Sequence, residues 1–159
     1  LTTFPYAFLL FGIVIRTQTY KTTLKAALLP DLVKLHIFRL IGVFFILLAF
    51  QDALPKPFAL IAGLGDIITA VSSIFVAKAL ETKKSYALNF AHAWNIFGAV
   101  DILFTAIFAN VLTKISLETG AMGVDTLATF PFCIIPAFAP PTILFMHWSI
   151  FQKLKKNGA

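Results

Sequence analysis

Residues 58–79 read FALIAGLGDIITAVSSIFVAKA, with one acid, Asp66, near the middle and one base, Lys78, at the very end. A membrane-spanning α-helix needs about 20 mostly apolar residues, and this stretch meets that length. Runs of the same kind lie on both sides of it, at Leu32–Ala53, Tyr86–Ala109 and Phe130–Phe151. A shorter apolar run, Phe4–Ile15, spans only if residues upstream of Leu1 complete it, and it reads as a truncated helix. The expected fold is therefore all-α: a polytopic transmembrane helical bundle of about five spans, forming a single domain over residues 1–159.

Composition leads to the same class. The chain is 59% hydrophobic and 13% charged, with mean hydropathy +0.89, whereas soluble domains carry about 25% charged residues. A chain so poor in charge cannot clothe a soluble globule. The net charge of +6 does not point to nucleic acid, because the basic residues lie between apolar runs rather than on one wettable face. The lone Cys133 excludes an internal disulfide framework and any multi-cysteine metal site.

The connections carry turn and charge signals. Arg16–Pro30 is polar and basic, Gln51–Pro57 holds Asp52, Pro55 and Lys56, and Lys78–Ser85 holds Glu81, Lys83 and Lys84. Asn110–Thr129 is the longest, with a short surface helix expected at Leu112–Leu117. In the five-span arrangement Arg16, Lys21, Lys25, Lys34, Lys78, Lys83, Lys84, Lys153, Lys155 and Lys156 share one side, against Lys56 and Lys114 on the other. The positive-inside rule then makes the basic side cytoplasmic and places the N-terminus outside and the C-terminus inside. The expected setting is a bacterial inner membrane, with the lipid bilayer, another copy or another membrane protein as partner.

Ionisable groups at membrane depth cost at least about 2.5 kcal/mol even on lenient scales, so each needs a partner. Arg39, Asp66 and Asp101 stand out, along with His36, His92 and His147. A rise of 1.5 Å per residue puts His36, Arg39 and His92 in the inner third, His147 near the inner end, Asp66 and Asn95 near the midplane, and Asp101 further out. Two readings of this polar track, which includes Thr69, stay open. It is a path for protons, ions or a small solute, or Arg39 pairs with Asp66 or Asp101 and fixes helix packing. The histidines add a third reading, as axial haem ligands or ligands of a divalent metal.

Small residues frame these groups. Ala62, Gly63, Gly65, Ala70 and Ser73 on one helix answer Gly98 on the next, a pattern that favours close helix packing. Gly63-Leu64-Gly65 is not a phosphate loop, because no G-x-x-x-x-G-K pattern follows. Pro136, Pro140 and Pro141 either kink the last helix or break it to form a site. No nucleophile, base and orienting acid occur at a spacing that defines an enzyme.

Several motifs in this chain resemble those of an uncharacterised family of small bacterial multi-pass integral membrane proteins. They are Arg39-x-x-Gly42, Ala62-Gly63-x-Gly65-Asp66, Trp94-Asn95-x-x-Gly98-x-x-Asp101 and Ile135-Pro136-x-Phe138. The resemblance covers Leu35–Leu154 and implies that Arg39, Asp66, Asn95 and Asp101 form one recurring constellation. It implies no substrate, cofactor or reaction. The leading functional expectation is a non-enzymatic membrane subunit or packing module, with a carrier or channel as the rival.

Overall fold

A computed structural model describes residues 3–157. Six helices follow one another: α1 Thr3–Arg16, α2 Gln18–Ala26, α3 Leu29–Phe50, α4 Lys56–Glu81, α5 Ala87–Thr119 and α6 Ile134–Asn157. Among the described residues there is no strand. Helices α3, α4, α5 and α6 are long and apolar enough to cross a membrane, whereas α1 is a shorter apolar helix. Of the five expected spans, four correspond to helices long and apolar enough to cross a membrane, while the first is the shorter α1 and the described residues form six helices in all.

Two further expectations are corrected. The segment Leu112–Leu117 is not a separate surface helix, because α5 continues unbroken to Thr119 and ends only where Gly120 turns left-handed at φ 72°. Asn110, Thr113 and Thr119 fold their side chains back onto carbonyls one turn earlier, which lets polar residues extend the helix. The basic connection after Arg16 is itself helical as α2. The Thr17 hydroxyl caps its start by accepting from the Tyr20 N–H at 3.2 Å.

Successive long helices run up and down, so their ends sort into two apolar layers. One layer gathers Leu29, Val33, Val76, Ala77, Ala91, Ile150 and Leu154, at the end where Lys34 pairs with Glu81. The other gathers Phe45, Leu48, Leu54, Phe58, Ala62, Val124 and Leu127. Between them lie the buried polar residues, among them His36, Arg39, Asp66, Thr69, Asn95 and His147.

Helix α3 owes its placement to a strict period of three. Val33, His36, Arg39, Gly42, Phe45 and Leu48 are buried, while Leu35, Ile37, Phe38, Leu40 and Ile41 face outward. An α-helix would rotate every third residue about 60° off that line. Residues Leu35–Gly42 instead wind as a 3-10 helix, whose three residues per turn keep His36, Arg39 and Gly42 stacked. The inward demand of these three residues overrides the usual preference for the wider turn.

The prolines do not break α6, which continues through Pro140 and Pro141. Pro136 sits in the first turn, where no intrahelical N–H is required. Pro140 has no N–H to give the Pro136 carbonyl, and the Thr3 hydroxyl of α1 donates to that oxygen at 3.0 Å instead. Tyr6 packs edge-on against Phe138, and its hydroxyl lies 3.1 Å from that of Thr142, so α1 lies along α6. Thr3→Val should therefore cost about 1 kcal/mol, and less when Pro140→Ala restores the backbone donor. Unfolding titrations of the two single variants and the double variant measure that coupling.

Candidate functional site

The middle layer is organised around one guanidinium. Arg39 is 0% exposed and extends from α3 into the three neighbouring long helices. Its Nε donates to Asp66 Oδ1 of α4 at 2.6 Å, and its Nη2 donates to Asp101 Oδ2 of α5 at 2.6 Å. Nη1 donates to the Gly98 carbonyl at 3.2 Å and lies 3.3 Å from His147 Nε2 of α6. Every nitrogen of the group is thus engaged, each toward a different place. Guanidinium suits this task because its fixed fork of donors can address several acceptors at once, as a lysine ammonium cannot.

Asn95 and His147 complete the layer through a reciprocal pair. Asn95 Nδ2 donates to the His147 carbonyl at 3.1 Å, and His147 Nδ1 lies 2.8 Å from Asn95 Oδ1. The pattern is consistent when Nδ1 carries the imidazole proton and donates to Asn95, leaving Nε2 to accept from Arg39. Trp94 closes the layer from below by donating from its indole nitrogen to the Thr69 carbonyl at 3.1 Å. The Thr69 hydroxyl itself returns to Gly65 of its own helix, so Thr69 joins the site through its backbone.

Glycines create the room. A Cβ on Gly65 would meet Asp101 Oδ1 at 1.8 Å, and one on Gly98 would meet His147 Cε1 at 2.6 Å. The Asp101 carboxylate and the His147 ring therefore occupy space that any other residue would fill. Gly42 and Gly63 bring α3 and α4 into backbone contact, since a Cβ on either would meet the other's carbonyl oxygen within 3.0 Å.

The three histidines do not act together. His36 and His147 are in contact, with ring centroids 4.2 Å apart, and Trp94 meets His36 edge-on at 5.1 Å. Neither ring nitrogen of His36 has a hydrogen-bond partner. His92 bonds the Leu88 carbonyl of its own helix and stays outside the layer. Rings in direct contact leave no slot for a porphyrin between them, and both nitrogens of His147 are already engaged. Among the described residues no three His, Cys, Asp or Glu side chains converge as a metal site. The residues present fit neither haem nor a divalent metal.

The structure thus brings together Arg39, Asp66, Asn95 and Asp101, adds His36 and His147, and leaves His92 apart. The part played by the two glycine pockets went unread in the sequence, although Gly65 adjoins Asp66 and Gly98 lies three residues from both Asn95 and Asp101. Fold and site together define an all-helical chain with four membrane-length apolar helices joined by a buried arginine clamp. It belongs to the family described as Domain of unknown function (DUF8737), whose family model matches residues 1–155. No curated protein and no solved structure matches the chain.

Proposed function

We propose that this chain is a small, non-enzymatic integral membrane module of the bacterial cytoplasmic membrane that works by associating with itself or with another membrane protein. The N-terminus lies outside and the C-terminus in the cytoplasm. The observation that carries the reading is the complete enclosure of Arg39. The guanidinium is held by groups from three other helices and sealed between two apolar layers, with His36 beside it also 0% exposed. A group built to handle a passing ion needs a route for water, whereas a group built to hold helices needs saturation of its donors.

The surface supports the membrane setting. Phe38, Phe44, Phe75, Phe97 and Phe104 all point outward with 44% or more of their surface exposed, an arrangement that lipid accepts and water penalises. The end of the bundle that holds the Lys34–Glu81 pair also holds Lys153, whose ammonium caps the Lys25 carbonyl at the end of α2. This concentration of cations supports a cytoplasmic assignment for that end.

The rival reading, a carrier using the same polar layer, separates by experiment. Liposomes containing the purified chain and a trapped pH-sensitive dye should show proton flux no greater than protein-free liposomes. A protein-dependent flux that disappears in Asp66→Asn or Asp101→Asn would establish the carrier and remove the packing role.

A further inference from the structure

Helix α2 is tied to the bundle without being packed into it. None of its residues is buried, and two polar contacts hold it to α6. The Ser149 hydroxyl donates to the Phe145 carbonyl and accepts from the Tyr20 hydroxyl at 2.9 Å. Lys153 donates to the Lys25 carbonyl at 2.8 Å. Beside these ties a groove of about 200 Å³ runs between α2, α3 and α6. Leu24 and Ala27 wall it on one side, Leu32 and Leu35 on the second, and Phe145 and Met146 on the third. Leu35 directly precedes His36, so the groove reaches from the basic end of the bundle toward the polar layer.

The walls are apolar, but the end of the groove is cationic. Lys153 follows one turn beyond Ser149 on α6, and its ammonium lies at the Lys25 carbonyl. Lys21 precedes Lys25 by one turn on the same face of α2. Residues 1–30 contain no Asp or Glu, and none follows Asp125. Glu81 at this end is already engaged by Lys34. Asp31 stands in the first turn of α3, where it answers the positive end of its own helix. The lysines beside the groove therefore face no acid of α2 or α6.

We propose that the groove seats an acyl chain of one anionic phospholipid, with the phosphate held by Lys21, Lys25 and Lys153. Charge complementarity selects the head, and the hydrocarbon walls take the tail. A docking helix does not fit, because one turn about 5.4 Å long and 10 Å across occupies about 400 Å³. A second copy would set the same cations against these. A basic helix at the interface beside an acyl-sized groove is the arrangement by which peripheral helices hold anionic lipid. The proposal rests on the membrane setting argued above, which fails separately if the purified chain stays in the aqueous phase on detergent phase separation.

Native mass spectrometry of the full chain in detergent, titrated with phosphatidylglycerol or with phosphatidylcholine of the same acyl chains, tests the proposal. Phosphatidylglycerol should bind one molecule per chain, about tenfold or more tightly than phosphatidylcholine, as two or three lysines at a lipid phosphate would give. Lys25→Gln with Lys153→Gln should abolish that preference. Lys83→Gln with Lys84→Gln, which removes two cations from the connection between α4 and α5 at the same end, should leave it intact. Thr23→Trp fills the groove from an exposed position of α2 and should remove the single bound lipid while keeping the thermal melt of the parent chain. A polyglutamate peptide, which offers charge without a tail, should not displace the lipid. Equal affinity for the two lipids, an equal loss in both double variants, lipid binding that survives Thr23→Trp, or displacement by polyglutamate would each overturn the proposal.

Discussion

Arg39→Leu should destabilise the folded chain by about 3–5 kcal/mol, the usual cost of removing one partner from a buried ion pair. Leucine fills part of the volume but donates nothing. Asp66, Asp101, the Gly98 carbonyl and His147 Nε2 would each lose a donor in the same event. Arg39→Lys should recover only part of the loss, because one ammonium at the end of a flexible stem cannot meet acceptors on three different helices. Reversible unfolding in mixed micelles, followed by circular dichroism, measures both variants. A cost below about 1 kcal/mol for Arg39→Leu would mean that the side chain can snorkel toward the interface and that the clamp carries little.

Gly65→Ala should be the most damaging single-methyl change in the protein, at the upper end of the roughly 1–3 kcal/mol range for overpacking. The added carbon would lie 1.8 Å from Asp101 Oδ1. The carboxylate is short and already held by Arg39, so it can make room only by leaving its hydrogen bond. This gives the prediction a sign reversal. In an Asp101→Ala background the obstacle is gone, and alanine is favoured over glycine within a helix by up to about 1 kcal/mol. Gly65→Ala should then be neutral or stabilising. A second mutation that worsens stability equally in both backgrounds would show that the space beside Gly65 is not reserved for Asp101.

Much of the architecture was legible because hydrocarbon imposes a length, and runs such as Phe58–Ala79 satisfy it without reference to anything else in the chain. The ends were less legible. Beyond Ala109 the residues Asn110, Thr113 and Thr119 look like a loop by polarity, yet each bonds back to its own helix and lets α5 continue. The prolines of α6 announced freed carbonyls but not their partner, since the Thr3 hydroxyl lies far away in sequence.

The site was legible in its charges more than in its geometry. A lone intramembrane arginine demands an acid, and the choice left between Asp66 and Asp101 is resolved by Arg39 engaging both. The exclusion of His92 follows from helical rotation. At about 100° per residue it stands opposite Asp101 on α5, so the two cannot face the same neighbours. The place of His147 is different. Its depth suggested the inner end, and only the absence of a side chain at Gly98 admits its ring to the clamp. The period of three from Val33 to Leu48 shows in the burial of α3 and not in its residue types, since the outward Phe38, Ile41 and Phe44 are as apolar as the buried Val33, Phe45 and Leu48. An α-helical period hides it, because three residues make a full turn only in the tighter helix.

The stability of a charge-free clamp tests the central claim most directly. If Arg39 serves to hold the helices, the triple variant Arg39→Leu, Asp66→Asn, Asp101→Asn removes the cation and both carboxylate charges together and leaves no unpaired ion. Its unfolding free energy should return to within about 1 kcal/mol of the parent chain, well above that of Arg39→Leu alone. A triple variant that is no more stable than Arg39→Leu would contradict the account, because the penalty would then not come from carboxylates deprived of their arginine.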